Sequence, residues 1–168
     1  MSISMYQASV PVFDRNLGNL AAILTKAAAW AETRKIDPAV LLASRLAPDM
    51  FALSRQLQIA CDFGKGTCAR LAGVDVPKYE DNEANFSDFQ ARIAKTRQFI
   101  GGFKAAQIDG SEERQINLKA GPRDLSFKGL AYLTGYALPN FFFHYTTSYA
   151  ILRHNGLELS KTDFIGAA

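Results

Sequence analysis

Cysteine and histidine are scarce in this chain, two of each in 168 residues, and that scarcity excludes several chemistries at once. Cys61 and Cys68 are seven positions apart in a segment that reads as one helix. They therefore share a face but lie about 10 Å apart along the axis, too far to bridge. With no metal-binding spacing around them they read as small, reduced core residues. His144 and His154 are ten positions apart, about 15 Å of helical rise, and cannot share a metal ion. A glycine-rich phosphate loop, a Gly-x-Ser-x-Gly elbow and a His-Glu-x-x-His pair are all lacking. Charge of one sign is lacking too: 19 basic and 16 acidic residues are interspersed, for a net +3. No basic stripe of the kind nucleic-acid binders carry results. The first residues lack a cationic start leading into an apolar run, so no signal peptide is read there and a cytoplasmic address is expected.

Between Gly129 and Leu152 there is no Asp, Glu, Lys or Arg. Such a run is long enough to span a bilayer, but Gly135, Pro139, Asn140, His144 and the trio Thr146, Thr147 and Ser148 would be costly against lipid. The run is expected to be a central helix of a soluble protein, the most buried element of the fold, and no membrane partner is expected.

What is present is hydrophobic periodicity. With 48% hydrophobic residues, the chain suits one domain over residues 1–168. A first amphipathic helix is read from about Ser4 to Lys35, with Leu17, Leu20, Leu24 and Ala28 in register and Pro11 either kinking it or marking a false start. Asp37-Pro38 opens a short helix to about Arg45. Pro48-Asp49 starts a second long helix whose stripe of Met50, Leu53, Leu57, Ala60, Gly64, Cys68 and Leu71 stops at Gly73. Val74 to Asn85 reads as a crossing loop. A third helix starts near Ser87 on a capping box and weakens at Gly101-Gly102. Ile116 and Leu118, then Leu125 and Phe127, alternate about a Gly121-Pro122 turn as a short hairpin. The final helix starts between Gly129 and Pro139 and ends at His154, before the stop Gly156 and a polar tail holding Lys161 and Asp163. The expected fold is an all-α bundle of four long helices with a hairpin between the third and the fourth.

Candidate site residues come from polar groups stranded among apolar ones. Asn140 and His144 are one turn apart within Leu138 to Gly156, a run so apolar and aromatic that the helix is expected to be buried, and Ser148 continues their face. Unpaired, each would cost on the order of 1–3 kcal/mol, so partners or a ligand are needed. His144 reads either as a core histidine satisfied by a neighbour or as a pocket or catalytic residue. Asp49 and Gln56, seven apart, read as sharing a face of the second helix, Asp49 being otherwise an N-terminal dipole partner and Gln56 otherwise an exposed edge residue. His154, beside Arg153 in a last turn, reads as a helix-dipole partner.

The strings Arg45-Leu46-Ala47-Pro48-Asp49-Met50, Arg55 to Asp62, Leu71-Ala72-Gly73, Glu80-Asp81-Asn82-Glu83, Pro139 to His144, Tyr149 to Gly156 and Lys161-Thr162-Asp163-Phe164 resemble a domain-of-unknown-function family of the DinB/YfiT-like superfamily. The resemblance covers essentially the whole chain. It implies an up-down-down-up four-helix bundle, often dimeric, whose metal-binding relatives hold a divalent ion with one histidine of the second helix and a His-x-x-x-His pair of the fourth. Carried across, these positions fall on Gln56, Asn140 and His144, so one imidazole remains of three. Neutral amides are weak ligands for zinc or nickel but good hydrogen-bonding groups for an organic molecule. The expectation is therefore a degenerate metal site with no metal and no cofactor. It is read as a polar pocket for a small organic ligand around Gln56, Asn140 and His144, with Asp49, Tyr145 and Ser148 contributing and His144 as acid or base. The alternative is a non-catalytic dimeric interaction or stress-related protein whose polar cluster is purely structural. Whether the chain is an enzyme is left open. Twelve Phe and six Tyr exceed what one small core needs, which points to an exposed apolar patch and a homodimer.

Overall fold

The structure, a computed structural model, describes residues 2–166; the outermost ends of the expected 1–168 domain lie outside the described residues. It is mostly helical, with one antiparallel hairpin. Helix α1 spans Val10–Arg34, and Pro11 occupies its first turn, where a missing N–H costs nothing, so the proline marks the false start. Residues 5–9 form turns ahead of it. Helix α2, Pro38–Ala43, is capped by the Asp37 carboxylate, which accepts from the Ala39 N–H at 2.9 Å.

Helix α3 spans Leu53–Ala72 and begins later than the Pro48-Asp49 signal predicts. Residues 44–52 run as turns and extended chain, so Asp49 is exposed in a loop and does not share a helical face with Gln56. The Pro-Asp pair is spent on that loop, held by the Arg45 guanidinium on the carbonyls of Pro48 and Met50. Gly73 ends α3 at φ +73°, a left-handed conformation that favours glycine. Helix α4, Phe86–Gly101, is capped two residues before the predicted Ser87. Asn85 accepts from the Asp88 N–H and Asp88 in turn accepts from the Ala84 N–H.

After α5, Ala105–Ile108, strands β1, Gln115–Ala120, and β2, Arg123–Lys128, pair with Ile116 opposite Phe127 and Leu118 opposite Leu125. The chain leaves the hairpin through Gly129, where any Cβ would stand 1.9 Å from the Ser111 carbonyl oxygen. Helix α6, Gly129–Tyr132, a π-turn, Leu133–Ala137, and helix α7, Leu138–His154, then follow without a break. Pro139 cannot donate to the carbonyl four residues back and would crowd it; the widened turn just ahead of it relieves that conflict.

Helix α3 packs against α7 and α4, and α1 packs against α4. Contrary to expectation, α3 and not α7 is the most buried element: thirteen of its residues are buried, whereas α7 exposes Pro139, Phe143, Thr146, Arg153 and His154. Lack of charge is a different property from lack of solvent, and α3 buries Lys65 because the Asp62 carboxylate and the Tyr79 ring meet it there. Cys61 and Cys68 are free and fully buried on α3; burial pushes the Cys61 thiol up to about 12, so both stay protonated packing groups. The expected polar tail is instead a short helix, α8, Lys161–Ile165, docked on α1. Its start was legible in Ser160-x-x-Asp163, a capping box. Lys26 pairs with Asp163 and holds that carboxyl down to about 2. Among the described residues no helix is long and apolar enough to cross a membrane.

Candidate functional site

Two helices far apart in sequence bring one polar pair together. Gln56 lies in the first turn of α3 and His144 in the second turn of α7, and His144 Nδ1 stands 2.6 Å from Gln56 Oε1. The Gln56 side chain is buried, not at an exposed edge. Its amide has only one workable orientation, because Nε2 donates to the Phe51 carbonyl at 3.1 Å and a carbonyl can only accept. Oε1 therefore faces the imidazole, and Nδ1 must carry the proton. The other ring nitrogen, Nε2, has no hydrogen-bond partner among the described residues, although His144 is only 9% exposed. Burial, with the Arg55 cation nearby, pushes the His144 pKa from 6.5 down to about 4. At neutral pH this is an uncharged imidazole with a lone pair on Nε2.

Aromatic rings frame it. Phe63 lies nearly parallel to the imidazole at 6.1 Å, and Phe143 stands edge-on at 5.2 Å. Phe63 also meets Tyr136 of the π-turn. Phe143 is more than half exposed, an unusual condition for a large apolar ring next to a buried polar pair.

The other expected site residues are placed differently. Asn140 is half-buried and its amide nitrogen donates to the Tyr136 carbonyl one turn back. Ser148 donates to the His144 carbonyl, and Tyr145 turns toward α8, where its hydroxyl bonds the Phe164 carbonyl and its ring stacks on Phe164 at 4.4 Å. Asp49 lies in the exposed loop before α3. A divalent ion does not suit this donor set: one imidazole nitrogen and the Gln56 amide oxygen are spent on each other, which leaves one imidazole nitrogen and the neutral amide oxygen of Asn140, a weak ligand. Among the described residues no group of three or more His, Cys, Asp or Glu could hold a metal.

The sequence reading missed a second polar cluster on the same helix. Arg92 of α4, buried, reaches Glu83 at 2.7 Å and Asp81 and Asp62 at 3.0 Å. Lys65 adds a pair to Asp62 at 2.7 Å, Gln58 donates to Glu83, and Arg55 binds Asp81. Burial opposes the Arg92 charge, and the bond to Glu83 with the Asp62 charge outweighs it, so the Arg92 pKa is raised. Tyr79 lies under three cations, with Lys65 at 3.8 Å, Lys95 at 4.3 Å and Arg92 at 5.5 Å from its ring centre. This network fastens the crossing loop, residues 74–85, onto α3 and α4. Clefts of about 500 and 450 Å³ flank Tyr79, and neither they nor the three other clefts described include Gln56 or His144. The acidic run Glu80-Asp81-Asn82-Glu83 was the signal available in sequence, with no way to say that Arg92 would meet it.

A family model described as domain of unknown function (DUF1993) matches residues 5–165. The chain is also similar to a DinB family member protein from Shewanella denitrificans whose crystal structure is known. The two are 41% identical with a TM-score of 0.87, over 97% of this chain and 92% of that one. No curated protein matches.

Proposed function

We propose, for a chain that belongs to the DUF1993 family, that it is a DinB-like up-down-down-up four-helix bundle forming one domain, in which Gln56 and His144 hold a binding site for a small organic ligand. The reading includes a cytoplasmic address. The observation that carries it is the fixed Gln56 amide: it consumes the Nδ1 proton of His144 and leaves Nε2 as an unpaired acceptor on a ring flanked by the exposed Phe143. His144 offers a hydrogen-bond acceptor there at Nε2 and stays neutral, because burial and Arg55 disfavour the imidazolium that taking up a proton would form. Asn140 and Ser148, on the same face of α7, contribute by fixing the helix that carries His144, through their bonds to the carbonyls of Tyr136 and His144. Tyr145 and Asp49 stand further out, one packed on α8 and the other in the loop that leads to Phe51.

Histidine-selective nitrogen NMR at pH 7 tests the reading. The expected spectrum is a neutral ring protonated on Nδ1; a ring protonated on Nε2, or an imidazolium, defeats it. A second reading, in which the pair only fixes helix register, is favoured by the absence of Gln56 and His144 from the clefts described. It is supported if water–protein NMR contacts show that no water reaches the Nε2 edge of the ring.

The chain is also proposed to pair with a second copy. Val40, Leu46 and Leu130 are large apolar side chains left 41–60% exposed, surface that a second copy would cover. Light scattering should return twice the 18.4 kDa chain mass at micromolar concentration, and a monomeric mass refutes the pairing.

A further inference from the structure

The valences left open at His144 define what kind of molecule fits there. Because Gln56 Oε1 takes the Nδ1 proton, Nε2 offers a lone pair and nothing else. A carboxylate or phosphate oxygen brings lone pairs of its own and gains no bond at that atom. A cation is disfavoured for a different reason. Arg55, one residue from Gln56, uses Nη1 on Asp81 at 2.6 Å and on Gln58 Oε1 at 3.1 Å, and its remaining nitrogens have no partner among the described residues. No carboxylate bonds His144 to offset that positive charge.

The apolar surroundings narrow the class further. Phe63 presents a face nearly parallel to the imidazole, and Phe143 closes on it edge-on. Phe143 is 55% exposed, so its ring retains surface for a flat partner to cover. A planar ring stacks on such walls and can reach Nε2 with a donor in its own plane.

We infer that the Gln56–His144 site selects an uncharged aromatic molecule bearing an O–H or N–H donor, a phenol or an azole, which donates to His144 Nε2 while its ring lies against Phe143. The inference rests on the proposed ligand-binding reading of the same pair and adds the ligand class to it. No proton is transferred in the bound state; the ligand keeps its hydrogen and the imidazole stays neutral.

Four probes of similar size separate the alternatives: phenol, anisole, benzoate and benzylammonium, each titrated into the full chain and followed by amide and histidine-ring NMR shifts. Phenol should shift resonances of Gln56, Phe143 and His144, and anisole, which lacks the donor, should bind there about tenfold or more weakly, as should both ions. Gln56→Leu, which frees the imidazole to adopt either tautomer, should reduce the preference for phenol over anisole while leaving the rings in place. Equal binding of phenol and anisole at His144 overturns the inference and leaves the ligand-binding reading standing. Tighter binding of benzoate or benzylammonium does the same. If none of the four shifts His144 while the ring nitrogen spectrum still shows the Nδ1-protonated form, the ligand class is wrong. If that spectrum itself shows the other tautomer, the underlying reading fails first.

Discussion

Helix α3 carries two polar clusters of opposite character, and the contrast between them is the most instructive feature of the molecule. Around Arg92 the charges are many and mutually satisfied: buried Arg92, Glu83 and Lys65 pair among themselves and with the partly exposed Asp81 and Asp62, and Arg92 Nε is the buried polar atom of that cluster without a partner among the described residues. At Gln56 and His144 the groups are neutral and few, and one ring nitrogen is left open on a ring flanked by the exposed Phe143. Removing a partner from the first strands a buried charge, which costs far more than stranding a neutral amide. The charged cluster is therefore built to hold the crossing loop, and the neutral pair has a valence to offer something else.

That contrast breaks or sharpens by measurement, beginning with its largest consequence. Arg92→Leu leaves Glu83, which is almost fully buried, without its cation, and should cost about 3–5 kcal/mol in urea denaturation. A loss below about 1 kcal/mol would mean that the loop is held by something other than this network.

Next in size is a pH effect confined to His144. Its folded pKa of about 4 lies below the ordinary 6.5, so between those values the unfolded chain binds more protons than the folded one. The sign follows: stability is complete above about pH 6.5, falls as pH drops through the window, and is lower by on the order of 3 kcal/mol near pH 4. His144→Leu should remove that slope, so the difference between the two denaturation profiles isolates it from the carboxylates. A profile difference that is flat with pH would show that the imidazole is not neutralised by burial.

Smaller still is the effect of His144→Leu at pH 7, where the loss is one neutral hydrogen bond and an unsatisfied Gln56 oxygen, about 1–2 kcal/mol. A cost comparable with Arg92→Leu would erase the distinction between the two clusters. Least of all, added zinc or nickel should move the melting temperature by less than about 1 °C, because a weakly bound ligand stabilises little. A chelator-resistant metal at one equivalent per chain would require ligands that the neutral cluster does not present.

The pattern along the chain was enough for the helical segments, the Asp37 cap, the hairpin about Gly121-Pro122 and the stops at Gly73 and Gly156, because each depends on residues within a turn or two of one another. It was also enough to single out His144, since a polar group amid Phe141, Phe142 and Phe143 is visible in one dimension. The start of α3 was misplaced because Pro48-Asp49 is a valid signal for a helix and equally for the loop it makes here. The π-turn before Pro139 carries no local signature that separates it from an ordinary turn of helix.

What only the tertiary structure decided is pairing. Gln56 and His144 are 88 positions apart, and the tautomer of the imidazole follows from where a glutamine oxygen points after Phe51 has taken its nitrogen. Arg92 meets Glu83 only once the loop is folded back. Periodicity reports which way a side chain leaves its own helix; the partner it finds there depends on the other helices. For this protein, sequence therefore determined the elements and the polar residue among them, and packing decided which of its two nitrogens remains open.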